Sequence, residues 1–142
     1  MRKLNKYMVF LSLIMIFSCE EKGLIVNCDE CLPDEPVKVV IEVKLDSNEP
    51  YQSGYTSNIK IYEGNLEDSL LIGSYWVQND VWEFEADINK QYTFTATYVT
   101  SDKTYIAVDS VFPRIKYEPD KCNDPCYYIY DKKISLKLKY TK

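Results

Sequence analysis

The chain contains no histidine. That absence removes the usual general base near neutral pH, the Ser-His and Cys-His nucleophilic pairs, and the commonest metal ligand. Glycine is almost as scarce, at four in 142 residues with no two close together, so no phosphate-cradling loop exists. No segment carries an apolar stripe at helical spacing, and no internal repeat is visible. Long apolar runs are missing as well. The one predominantly apolar run, Met8 to Phe17, is ten residues long, whereas a helix needs roughly twenty to cross the hydrocarbon core of a bilayer. A permanent transmembrane anchor is therefore disfavoured.

Positive charge is also in short supply. Arg2, Lys3 and Lys6 precede the apolar run, and the rest of the chain carries fourteen basic against twenty-two acidic residues, a net of minus eight. Duplex binding needs clustered cations on phosphates, so no nucleic-acid partner is expected. The carboxylates do not form an evident catalytic pair. Glu83 and Glu85 stand two apart on a strand pattern and share its wet face. Asp46-Ser47-Asn48-Glu49 is rich in oxygen but lacks the spacing and glycine of an EF-hand, and reads as a solvated turn. No catalytic residue, metal or cofactor is expected, and the chain is not read as an enzyme.

Three positive charges followed by a short apolar run form a secretory signal pattern. It ends in Ile16-Phe17-Ser18-Cys19, followed at once by Glu20-Glu21-Lys22-Gly23. This resembles the lipobox of bacterial lipoproteins, and the resemblance implies cleavage before Cys19 and a diacylglycerol on its sulfur. Each buried methylene contributes about 0.8 kcal/mol, so two or three acyl chains hold a protein firmly to a membrane. The acidic pair after Cys19 resembles the export tether of surface lipoproteins of the Bacteroides group, which implies an outer-membrane address with the domain facing outward.

Thirteen tyrosines, five phenylalanines and two tryptophans favour strands, because aromatic and β-branched side chains fit a pleated, half-buried surface. Val37, Val39, Ile41, Val43 and Leu45 alternate with Lys38, Glu42 and Lys44. Tyr92, Phe94, Ala96 and Tyr98 alternate with threonines, and Ile134, Leu136, Leu138 and Tyr140 with lysines and Ser135. Strands are predicted near 37–45, 58–63, 69–76, 80–86, 91–99, 104–112 and 127–140, the last broken at Asp131-Lys132, with turn-type clusters between them. The predicted organisation is a signal peptide over 1–18, a lipidated acidic tether over 19–36, and one all-β domain over 37–142. About seven short strands at this spacing predict an antiparallel β-sandwich. Ile59-Lys60-Ile61-Tyr62-Glu63-Gly64, then Trp82-Glu83-Phe84 and Gln91 to Tyr98, resemble the prealbumin-like and Ig-like modules of carboxypeptidase regulatory domains and adhesin stalks.

Setting Cys19 aside leaves Cys28, Cys31, Cys122 and Cys126, an even number in an oxidising compartment, for which disulfides are expected. Spacing alone leaves three connectivities open. In sandwiches of the resembled families the first and last strands commonly run side by side in parallel, which implies bridges between the two cysteine pairs rather than within them. Zinc ligation and a redox Cys28-Asp29-Glu30-Cys31 are the competing readings. The acidic residues between those thiols oppose a thiolate, and about ninety residues separate the pairs. Among the aromatics, Trp82 shares an inward face with Phe84, whereas Trp76 is the candidate ligand aromatic.

The expected function is a non-catalytic, lipid-anchored interaction or accessory module of the cell envelope, partnered by an envelope protein. The alternative is a carbohydrate-binding surface lipoprotein that uses exposed aromatics. Mass spectrometry of the protein recovered from its native membrane is expected to show an N-terminus at Cys19 carrying acyl mass; an unlipidated N-terminus would overturn the address.

Overall fold

Alternation of buried and exposed side chains is clearest in the first strand, over Lys38–Lys44, while the central strand over Tyr92–Val99 is buried on both of its faces. The computed structural model describes residues 26–46, 57–68, 70–99, 103–122, 124 and 126–138. The signal segment with Cys19, the residues Ser47-Asn48-Glu49, the Ser101-Asp102 turn and Tyr140 lie outside them. Among the described residues, no helix is long and apolar enough to cross a membrane.

Strand β1 (Lys38–Lys44) buries Val39, Ile41 and Val43 and turns Lys38, Val40, Glu42 and Lys44 to the other side. It pairs antiparallel with β4 (Val81–Asp87) and parallel with β9 (Lys133–Ser135), giving a three-stranded sheet in the order β4-β1-β9. A second, four-stranded sheet has the order β3-β2-β5-β6, formed by β2 (Ser57–Glu63), β3 (Leu70–Val77), β5 (Tyr92–Val99) and β6 (Thr104–Val111). All its pairings are antiparallel. A separate hairpin joins β7 (Arg114–Glu118) to β8 (Cys126–Tyr130).

The two larger sheets face each other across one apolar core. Ile41, Val43, Ala86 and Ile134 come from the first sheet, and Ile59, Ile61, Phe94 and Ala96 from the second. Phe84 meets Phe94 edge-on across the gap, with ring centroids 5.9 Å apart, the geometry that a ring's negative face and positive edge favour. The hydroxyl of buried Tyr98 donates to the Leu136 carbonyl and accepts from the Asp46 amide. This polar tip ties β5 to the residues that follow both β1 and β9, at one end of that parallel pair. Burial pushes the Tyr98 phenol above its ordinary pKa.

The expected all-β sandwich is what the chain forms, with nine strands among the described residues rather than about seven. Two features account for the difference. Asp131 takes a positive φ of 54° and splits the predicted last strand into β8 and β9, at the break expected from Asp131-Lys132. Strand β7 follows Pro113 and is too short a run to stand out in sequence; its partner β8 defines it. Val37 departs from the predicted inward face. It precedes β1 and is 79% exposed.

Phe94 is fully buried, so Phe94→Ala is expected to lower stability by about 3–5 kcal/mol. A fall in the urea midpoint at unchanged m-value is the signature to look for.

Candidate functional site

The cysteines sit at the far end of the β7–β8 hairpin. Ile115 and Ile129, directly opposite each other, pack on the core, and the strands then run out to Glu118 opposite Cys126. The segment ahead of β1 folds against that end. Asn27 caps a short 3-10 turn over Cys28–Glu30 by accepting a hydrogen bond from the Asp29 amide, and Leu32 exchanges backbone hydrogen bonds with Tyr127 in both directions. Disulfides join Cys28 to Cys122 and Cys31 to Cys126, with Cα separations of 5.8 and 5.0 Å. The bridges therefore run between the two cysteine pairs.

The sulfurs form one cluster. Cys31 Sγ lies 3.4 Å from Cys122 Sγ, and those of Cys28, Cys31 and Cys122 lie within 4.8 Å of one another. In the bonded state none is a thiolate, the form that acts as nucleophile or metal ligand. Buried Glu118 beside them accepts from Lys116 Nζ at 2.8 Å, and that hydrogen bond holds its carboxyl below the usual range. Lys132 does the same for exposed Glu30, tying the 3-10 turn to the start of β9.

The outer faces of the two sheets differ in chemistry. That of the three-stranded sheet is mostly charged, with Lys38 meeting Glu85 and both Lys44 and Lys133 meeting Glu42, and it exposes Val40 and Val81 between these ion pairs. Glu83 and Glu85 lie here, exposed as the alternation implied. The outer face of the four-stranded sheet carries three cross-strand rows, which are Trp76, Asn58, Thr97 and Ile106; Ser74, Lys60, Thr95 and Val108; and Leu71, Tyr62, Thr93 and Ser110. Lys60 is its one charged residue among those described, and it has no ion-pair partner among them. Trp76 is 71% exposed and Ile106 64%.

Trp82 takes the inward place that the alternation implied, and Trp76, the candidate ligand aromatic, is exposed. Trp82 packs against the core with Phe84, and Tyr75 stacks on Trp82 at 5.1 Å, so the three rings close the edge where β3 and β4 meet. Trp76, the next residue after Tyr75, points the opposite way onto the open face.

Sequence reasoning missed Lys60, Ile106 and Val108 as neighbours of Trp76. The run Thr104 to Val111 gives no reason to turn Ile106 and Val108 outward. In the fold, Ala107 and Val111 pack on the core from the inner side of β6, and Asp109 between them sits opposite Phe94 and accepts a hydrogen bond from the Ser135 amide of β9. That bond satisfies a β9 donor at the sheet edge.

Comparison with protein-family models, with curated proteins and with solved structures returned no match.

The disulfides make a quantitative prediction. One bridge alone closes a loop of 94 or 95 residues, worth about 4.7 kcal/mol in the chain-entropy treatment, and the second then closes only a ring of roughly eight residues, worth about 2.5 kcal/mol. Replacing either bridge by serines is expected to cost about 2–3 kcal/mol and replacing both about 7 kcal/mol. Denaturant unfolding of the two single-bridge variants and the bridge-free chain will show whether the combined loss exceeds the sum.

Proposed function

We propose that this chain is a non-catalytic, lipid-anchored module of the cell envelope that binds its partner through the outer face of the four-stranded sheet. The observation that carries the proposal is the contrast between the two outer faces. Paired charges keep one face solvated. The other holds Trp76, Leu71, Ile106 and Val108 in water around a polar centre. Exposed large apolar side chains framing a polar centre suit an interaction site.

The anchor and the staple fit one purpose. Cys19 precedes Cys28 by nine residues, at most about 30 Å of extended chain. An acyl group on Cys19 would hold the stapled hairpin close to an outer-membrane surface and leave the sheet faces free to meet a partner. The parallel pairing of β1 with β9 supports kinship with Ig-like and prealbumin-like modules, folds that serve many unrelated functions.

Trp76 favours a second reading, a carbohydrate-binding surface lipoprotein. Its indole stands on the face that also presents Asn58 and Thr97. A flat ring flanked by hydrogen-bonding side chains matches a sugar, which offers C–H groups on one side and hydroxyls around its rim.

A photo-reactive amino acid introduced at position 106 is expected to give cross-linked adducts in intact cells, whereas the same group at position 83 gives none. Equal adducts from both positions, or none from position 106, would sink the proposed face.

A further inference from the structure

We infer that the outer face of the four-stranded sheet is a binding site for a short anionic oligosaccharide, with Trp76 stacking on a sugar ring and Lys60 pairing with a carboxylate or sulfate group on the chain. The inference rests on the proposal that this face is the interaction surface, and it specifies the ligand.

Size argues first. Four strands at about 4.8 Å spacing make the face roughly 14 Å wide, and the four residue steps from Asn58 to Tyr62 extend it roughly 14 Å along the strands. A patch of roughly 200–300 Å² falls well short of the about 800 Å² per partner that a stable protein pair buries. A second copy of the chain is thus a poor occupant, and a short, slender ligand a good one.

Shape and polarity argue next. Large side chains stand on the outer strands, with Trp76 and Leu71 on β3 and Ile106 and Val108 on β6. The strands between them carry exposed Lys60 and half-buried Asn58 and Thr97, with Thr93 and Thr95 buried beside them. The result is a shallow polar floor between apolar rims. Thr93 is already committed, since its hydroxyl donates to the Gly64 carbonyl and lies 3.0 Å from that of Ser110. Asn58 is oriented by its bond to Ser74, which leaves its side-chain carbonyl to accept from a hydroxyl. Rows of hydroxyl and amide groups beside an indole suit the alternating polar rim and apolar faces of a sugar chain.

Charge selects within that class. Lys60 stands at the centre of the floor between Ser74 and Thr95, with no ion-pair partner among the described residues. Lys38, Lys44, Lys90 and Lys132 each have a carboxylate within reach. The carboxylates of β1 and β4 lie on the opposite sheet, beyond the core. An exposed ion pair adds little affinity on its own, so stacking on Trp76 supplies the binding and Lys60 the preference for anionic chains.

The full-length protein in detergent, probed on an array of uronate-containing and sulfated oligosaccharides with their methyl-esterified and desulfated counterparts, tests the assignment. Binding is expected for anionic members and severalfold weaker for their uncharged counterparts. Trp76→Ala should weaken binding to all members at least tenfold, Lys60→Ala should remove the severalfold preference for anionic members, Lys60→Arg should largely retain it, and Glu83→Gln on the opposite face should change nothing. No binding across the array, or binding unaffected by Trp76→Ala, overturns the inference. Cross-links to a protein from position 106 without any array binding would leave the interaction face standing and remove only its glycan ligand; failure of both experiments removes the face itself.

Discussion

Strand β1 is hydrogen-bonded on both sides, to β4 antiparallel and to β9 parallel, and its Val39, Ile41 and Val43 supply the middle of the apolar core. A parallel neighbour cannot be reached by a tight turn. Here the connection consumes nearly the whole domain, so closing the fold brings residues from its two ends together. Burial of β1 on one face and its pairing on both edges make this possible. The other elements are arranged around it: the second sheet covers the apolar face, Tyr98 bonds the residues that follow both β1 and β9 at one end of the pair, and Asp109 of β6 caps a β9 amide.

The same closure explains the staple. The segment before β1 and the hairpin before β9 must approach one another because the strands they lead into are neighbours. The cysteines sit in those two places, and bridges between the pairs convert that proximity into a covalent clamp. Single-strand entry into a sandwich is otherwise a point of fraying. Here Leu32 pairs with Tyr127, Lys132 with Glu30, and two disulfides lie beside them. A pull on the chain ahead of Cys28 would reach the hairpin before it reached β1.

The sandwich offers water two unlike surfaces. Where the sequence alternates apolar residues with lysine and glutamate, as in β1 and β4, the outward side becomes a set of ion pairs. Where it alternates with threonine, as in β5, the outward side stays uncharged. The run Tyr92 to Tyr98 therefore already carried half of the candidate site in plain view, through the outward threonines, of which Thr97 is half-buried and Thr93 and Thr95 are buried. Its other half was hidden. Trp76 is adjacent in sequence to Tyr75, a ring that packs on Trp82, and only the register of β3 with β2, which sets Trp76 opposite Asn58, puts it on the outer face. Ile106 and Val108 look like core residues by composition, yet they stand outward while Ala107, Asp109 and Val111 take the inner side.

Local properties of the chain were enough to determine its strand character, the breaks at Asn89-Lys90 and Asp131-Lys132, and the inward places of Phe94, Ile41 and Trp82. They depend on side-chain periodicity and turn chemistry, which act over a few residues. Strand order, the choice of disulfide partners among three connectivities, the extra strand β7 and the gathering of Trp76, Lys60 and Ile106 on one face were decided only by tertiary structure. Each depends on which distant segments share a hydrogen-bonding edge, and in a sheet a shift of one residue in that pairing turns every side chain to the opposite face.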